Sequence, residues 1–99
     1  MIIGYEVFKY RGYEFQISTD VFHKDASFFM YSNSGDDRNG YCIKYAYSDQ
    51  EILESFIRCH ECQKLRGIEA ILNEDGEIDL YYAQQLIDQI RTAMELIKL

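Results

Sequence analysis

The chain contains no proline, no cluster of lysine or arginine and no long apolar run. Without proline, no turn is locked by a pyrrolidine ring and no peptide bond is an evident cis candidate. No apolar run approaches the roughly 20 residues that span a bilayer, and the start, MIIGYEVFKYRG, lacks the positive segment of a signal peptide. An odd number of cysteines, three, in such a chain indicates reduced thiols. We therefore expect a cytoplasmic protein.

The charge balance is acidic, with 17 acidic and 10 basic residues and a net charge of −7. Because the neutralisation of phosphates requires clustered lysine and arginine, this balance argues against direct binding to nucleic acid or to an anionic membrane. It is compatible with a basic protein partner, and solubility alone would also explain it. A length of 99 residues with 47% apolar and 27% charged residues indicates one globular domain.

The front of the chain has the pattern of a β-meander. Glycine and charged residues separate short runs rich in aromatic and β-branched residues, and RG at 11–12 is a natural hairpin break. Apolar residues at both parities of the first run suggest a strand that is partly covered on both faces. The predicted strands span 2–10, 13–19, 26–32 and 41–47. Short connections between successive strands favour antiparallel pairing, so residues 1–47 are predicted to form a four-stranded antiparallel sheet.

The remainder of the chain is predicted to be mainly helical. SDQE at 48–51 is a capping box, which predicts a first helix over 48–66 that ends before Gly67. Segment 67–78 is predicted to be irregular or a short hairpin around Asp75 and Gly76. From a predicted N-cap at Asp79, apolar residues recur with helical periodicity and predict a second helix over 79–98. Residues 1–99 therefore form a single α+β domain in which both helices pack on one face of the sheet.

The segment RCHEC at 58–62 suggests a metal or redox site, but its predicted helical geometry argues against both. Taking Ile52 as 0°, the apolar stripe of the first helix centres near about 70°, His60 lies at about 80° and Cys62 at about −80°. His60 and Cys62 thus point apart, and no second ligand pair completes a zinc site. A redox pair of cysteines belongs at a helix N-terminus, whereas this pair lies about three turns beyond the cap. We expect a buried His60, a Cys59 at the core edge and an exposed Cys62.

The other chemically suggestive segments also lack a complete pattern. His23 lies near two aspartates and could act as a general base, but no nucleophile or substrate pocket accompanies it. The acidic segments NSGDDRNG and NEDGEID do not have the ligand spacing of an EF-hand loop. No phosphate-binding, dinucleotide-binding, serine-hydrolase or zinc-protease motif is present. We therefore expect no catalytic residue, no metal and no cofactor.

Two features of the chain are typical of protein-binding surfaces. Residues 69–79 contain five acids and no base, namely Glu69, Glu74, Asp75, Glu77 and Asp79. The sequence also contains nine tyrosines, and two helices can cover only one face of the sheet. The other face is therefore expected to expose aromatic residues such as Phe29 and Tyr31.

The sequence therefore favours a non-enzymatic protein that binds another protein of unknown identity. A basic partner is compatible with the acidic charge, and a homodimer is the simplest assembly. The alternative is a small-molecule-binding domain with a tyrosine-lined apolar pocket. An enzyme that uses His23 and nearby carboxylates is a third hypothesis.

Overall fold

The computed structural model describes residues 2–20, 27–32, 40–62 and 67–97, which form one α+β architecture. A four-stranded antiparallel sheet precedes two helices, as the sequence predicts. The elements are β1 (Ile2–Tyr10), β2 (Tyr13–Asp20), β3 (Ser27–Ser32), β4 (Gly40–Lys44), α1 (Asp49–Cys62), a short 3-10 turn (Ile68–Ile71) and α2 (Leu80–Ile97).

The sheet is a meander with the strand order β1-β2-β3-β4, so β1 and β4 are its edges. A two-residue turn, Arg11-Gly12, joins β1 to β2, and both residues have positive φ angles of 49° and 85°. Such turns match the twist of the paired strands. The turn sets a register in which Tyr10 lies opposite Tyr13 and Phe8 opposite Phe15.

The core lies between one face of the sheet, the inner face, and the two helices. Aromatic and aliphatic side chains from alternate positions of all four strands point into it, so the inner face is almost wholly apolar. The buried apolar residues of the inner face are Tyr10, Phe15, Ile17, Phe28, Met30 and Ile43, and Thr19 is buried with them. The helices contribute Ile52, Phe56, Ala83, Leu86, Ile87, Ile90, Ala93 and Met94 to the same core. The apolar stripe predicted for α2 is thus confirmed, although Ile97 at its end is only partly buried.

Helix α1 begins with the predicted capping box. The Ser48 amide donates to the Glu51 carboxylate at 3.0 Å, and the Glu51 amide donates to the Ser48 hydroxyl at 3.2 Å. The structure describes this helix from Asp49 to Cys62. The predicted extension to residue 66 falls on 63–66, outside the described residues.

The predicted orientation of α1 is wrong. Its buried side chains are Ile52, Ser55 and Phe56, so the buried face centres near Ile52, about 70° from the predicted direction. His60 is therefore half-buried on the flank, and Ile57 is 39% exposed. Ser55 can lie inside because its hydroxyl donates to the Glu51 carbonyl at 3.0 Å, which satisfies its polar group.

Strand β4 is shorter than predicted, because it ends at Lys44 instead of residue 47. A turn closed by the Tyr47 amide and the Lys44 carbonyl, at 2.9 Å, leads the chain towards α1. Arg91 of α2 donates to the carbonyls of Tyr45 and Tyr47. These carbonyls are therefore bound by a side chain rather than by a strand.

Segment 67–78 combines a helical turn with a small hairpin. After the 3-10 turn, Leu72 pairs with Ile78 in an antiparallel bridge, and the Asn73 side chain accepts the amides of Asp75 and Glu77. Of the two structures predicted for this segment, the short hairpin is thus found over 72–78.

Arg11, in the β1–β2 turn, attaches this segment to the sheet. Its guanidinium donates to the Ala70 carbonyl at 2.8 Å and lies 3.5 Å from the centre of the Tyr82 ring. Beside it, the Tyr10 hydroxyl has two acceptors for its one proton, the Gln85 Oε1 at 2.8 Å and the Tyr82 carbonyl at 3.0 Å. Burial raises the pKa of the Tyr10 hydroxyl, which stays a neutral donor. The turn end of the sheet is thereby fixed to the start of α2.

Candidate functional site: the outer face of the sheet

The outer face is the side of the sheet opposite the helices. Strand pairing places its side chains in two neighbouring rows. The first row runs Tyr5, Ser18, Phe29, Cys42, and the second runs Val7, Gln16, Tyr31. We call Tyr5, Val7, Phe29 and Tyr31 the apolar patch. Residues from two strands, β1 and β3, thus share one surface, although they are far apart in the sequence.

The apolar patch is exposed at β1 and partly covered at β3. Tyr5 is 62% exposed and Val7 is 41% exposed, so the outer side of β1 is open. The sequence instead predicts a strand that is partly covered on both faces. Phe29 and Tyr31 are half-buried, and their rings stack with centres 6.4 Å apart. Ser18 is only 1% exposed although it lies on the outer face, because it stands between Tyr5 and Phe29. The patch therefore consists of two apolar pairs, one on β1 and one on β3, with Ser18 and Gln16 of β2 between them.

Charged residues surround the apolar patch without entering its two rows. Lys9 of β1 lies opposite Glu14 of β2, where unlike charges stabilise the pair. Lys44 lies beyond Cys42 on β4 and is exposed. An apolar centre with a polar rim is the usual composition of a protein interface.

The predicted acidic surface is divided between structural and free carboxylates. Asp79 is the N-cap of α2, since its carboxylate accepts the amides of Tyr81 at 2.9 Å and Tyr82 at 3.2 Å. Glu69 accepts the amide of Gly67 at 3.0 Å. The other three acids, Glu74, Asp75 and Glu77, are exposed in the hairpin turn.

The acidic residues and the apolar patch do not form one site. Segment 68–71 contributes to the core between the helices, whereas Phe29 and Tyr31 lie on the opposite side of the sheet. Charge and aromatic surface are therefore separate candidates for binding.

The cysteines and histidines form no metal site among the described residues, where no group of three potential ligands lies together. None of the three cysteines, all of which are described, is in a disulfide; Cys42 and Cys62 are exposed and Cys59 is half-buried. The exposure expected for Cys62 is thus confirmed. His23 and segment 33–39 lie outside the described residues, so the structure does not place them.

A groove of about 250 Å³ opens between β1 and α2. Its lining residues are Glu6, Phe8, Gln89, Thr92, Ala93 and Leu96. The groove is smaller than the usual 300–1,000 Å³ of ligand pockets. It contains no tyrosine, so it is not the pocket that the small-molecule hypothesis requires.

Sequence reasoning identifies Phe29 and Tyr31 but does not place Tyr5, Val7 and Cys42 on the same surface. The signal in the sequence is that β1 has apolar residues at both its odd and its even positions, which indicates apolar side chains on both faces of the sheet. The missing information is the register, which places Tyr5 opposite Ser18 and Ser18 opposite Phe29.

Comparison with protein family models, with curated proteins and with solved structures finds no match. Within the described ranges, neither helix is both long and apolar enough to cross a membrane.

Proposed function

We propose that this protein is a non-enzymatic binding protein, whose apolar patch contacts another protein chain. The observation that carries the proposal is the apolar patch on the outer face, where Tyr5 is 62% exposed and Val7 is 41% exposed. Tyrosine and phenylalanine are enriched at the centres of interfaces because they bury a large area with few rotatable bonds. A homodimer is the simplest assembly, since a two-fold axis uses the same surface twice.

Two further features support secondary parts of this proposal. The exposed acids Glu74, Asp75 and Glu77 would favour a partner with a basic surface through long-range attraction. The three cysteines, none of which forms a disulfide, are consistent with action in the cytosol, where thiols stay reduced.

Two native cysteines allow a matched test of the apolar patch. Cys42 lies opposite Phe29 on the outer face, whereas Cys62 ends α1, and both are exposed. A photoreactive maleimide is attached at Cys42 in a Cys62→Ser protein, and at Cys62 in a Cys42→Ser protein. Each protein is irradiated in an extract of its own host, and the cross-linked chains are identified by mass spectrometry.

The proposal predicts that the Cys42 probe captures a protein chain that the Cys62 probe does not capture. Combining Phe29→Ser with Tyr31→Ser should reduce this capture about tenfold or more, because each substitution removes a large apolar contact. Equal capture by both probes, or capture that survives the double substitution, would refute binding by the apolar patch. Thermal unfolding of the double variant shows whether the fold is retained.

A further inference from the structure

Strand β1 is an edge strand whose outward backbone groups have no strand partner in the described residues. The two-residue turn after Tyr10 makes Tyr10 and Tyr13 a hydrogen-bonded pair. Counting back along β1, every second residue bonds to β2. Tyr5, Val7 and Lys9 therefore direct their amide and carbonyl groups away from the sheet.

The central part of this edge has few of the features that usually prevent pairing with another chain, and Glu6 is its one charged residue. Natural edge strands are protected by bulges, prolines or charged side chains. Here an irregularity between Ile2 and Gly4 interrupts one end, and Lys9 lies near the other. Neither interrupts the edge at Tyr5 or Val7, which are both apolar and exposed.

Exposed apolar side chains flank the same edge on both faces of the sheet. Tyr5 and Val7 lie on the outer face, while Leu96 of α2 is 66% exposed on the inner side. Leu96 and Phe8 line the groove between β1 and α2. A strand added beside β1 would place its own inner-face side chains against this groove.

We propose that a second copy of this chain occupies the edge, with the two β1 strands antiparallel and Val7 on the two-fold axis. The inference rests on the proposed function in that Tyr5 and Val7 of the apolar patch lie at this edge, while Phe29 and Tyr31 are left open for the contact tested at Cys42. Tyr5 then pairs with Lys9 of the other copy, Val7 with Val7, and Lys9 with Tyr5. Each of these pairs can exchange two backbone hydrogen bonds, which makes about six in all. The result is one eight-stranded sheet in which the two apolar patches adjoin.

The side chains select this register over its neighbours. A two-fold axis at Glu6 would place two like charges directly opposite each other, which destabilises a strand pair. An axis at Phe8 would shorten the overlap of the described strand. With the axis at Val7, Glu6 lies opposite Phe8 of the other copy and Lys9 opposite the Tyr5 ring. The strand is therefore most self-complementary about Val7.

The register is tested by substitutions at Val7 with a control on α1. Val7→Pro removes the outward amide, and Val7→Lys places two like charges at the axis and keeps the backbone intact. The control is Ile57→Lys, since Ile57 is 39% exposed and Val7 is 41% exposed. Sedimentation velocity over about two decades of concentration measures the dimer. Each Val7 variant should weaken it about tenfold or more, while the control stays within about twofold of the wild type.

The geometry is tested by cross-linking. In a protein without its native cysteines, Val7→Cys would bring two Cα atoms to about 5.5 Å, within disulfide range. It should form a covalent dimer under mild oxidation, whereas Ile57→Cys should not. Circular dichroism shows whether each variant folds. If Val7→Pro does not fold, Val7→Lys still tests the dimer contact.

Three results would overturn the inference. The first is a wild-type monomer throughout the concentration range, and the second is a dimer that both Val7 variants leave intact. The third is native mass spectrometry that finds a different polypeptide released by Val7→Lys. If a dimer survives the Val7 variants but is lost with Phe29→Ser and Tyr31→Ser, the edge pairing fails while the proposed function stands. The reverse outcome is a dimer that the Val7 variants break, with probe capture at Cys42 unchanged by Phe29→Ser and Tyr31→Ser. In that case the contact through Phe29 and Tyr31 fails while the edge dimer stands.

Discussion

Replacing Arg91 by methionine should destabilise the protein far more than replacing another helical arginine. Arg91 connects α2 to the chain between β4 and α1, where it donates to the Tyr45 carbonyl at 3.3 Å and also to the Tyr47 carbonyl. The same guanidinium donates to Asp49 at 3.0 Å from Nη2 and 3.2 Å from Nε. Methionine retains most of the aliphatic stem and removes all of these donors.

The expected loss follows from the kinds of bonds removed. A hydrogen bond to a charged donor contributes about 1.5–3 kcal/mol when shielded from water, and an exposed ion pair contributes up to about 1 kcal/mol. The side chains of Arg91 and Asp49 are 30% and 50% exposed, and water can solvate the freed carbonyls. We therefore expect Arg91→Met to lower the free energy of unfolding by about 2 kcal/mol, which corresponds to a fall in Tm of roughly 8–16 °C.

Urea and thermal unfolding followed by circular dichroism measure this loss. The matched control is Arg58→Met on α1, because exposed Arg58 makes one described hydrogen bond, to the Ser55 hydroxyl at 3.2 Å. Arg91→Lys retains the charge without the planar donor set and should recover less than half of the loss. If Arg91→Met and Arg58→Met unfold alike, the proposed role of Arg91 in ending β4 is refuted.

Two further predictions concern pH dependence and thiol reactivity. Hydrogen bonds from Gln84 and Arg91 lower the pKa of the Asp49 carboxyl. Its ionised form therefore stabilises the fold above the unfolded pKa of about 3.9. This contribution is lost as the pH falls through the lower pKa of the folded state. The Tm difference between the wild type and Asp49→Asn should therefore be constant near neutral pH and shrink below about pH 4; a difference that persists unchanged at about pH 2 would contradict this origin. With a thiol reagent, exposed Cys62 should react much faster than half-buried Cys59, and equal rates in single-cysteine proteins would contradict the observed orientation of α1.

The elements that the sequence predicts well depend on local interactions. The capping box at Ser48 and Glu51 and the N-cap at Asp79 each join residues within one helical turn. The stripe of α2 is likewise a property of one segment, and its buried residues agree with the predicted arc. Local chemistry is sufficient in these cases because each contact lies within a few residues along the chain.

The elements that the sequence predicts poorly depend on distant residues. Strand β4 ends early because its following carbonyls are bound by Arg91, 46 positions away from Tyr45. The predicted orientation of α1 is wrong because apolar type alone places Ile57 inside and Ser55 outside. In the structure the Ser55 hydroxyl is satisfied within its own helix, which allows its burial.

The apolar patch shows the same limit for a candidate site. Phe29 and Tyr31 are two residues apart on one strand, so their common face follows from strand periodicity. Their proximity to Tyr5 depends on the pairing of β1 with β2 and of β2 with β3. Composition indicates that aromatic surface remains uncovered, and only the register shows which residues share it.

Native mass spectrometry of the protein purified from its own host tests the proposed function most directly. The measurement reports bound chains, metals and small molecules together, so no partner has to be chosen before the experiment. Our account predicts a mass equal to two copies of the chain, or to the chain with another polypeptide. A monomer that carries a stoichiometric small molecule or metal would contradict it.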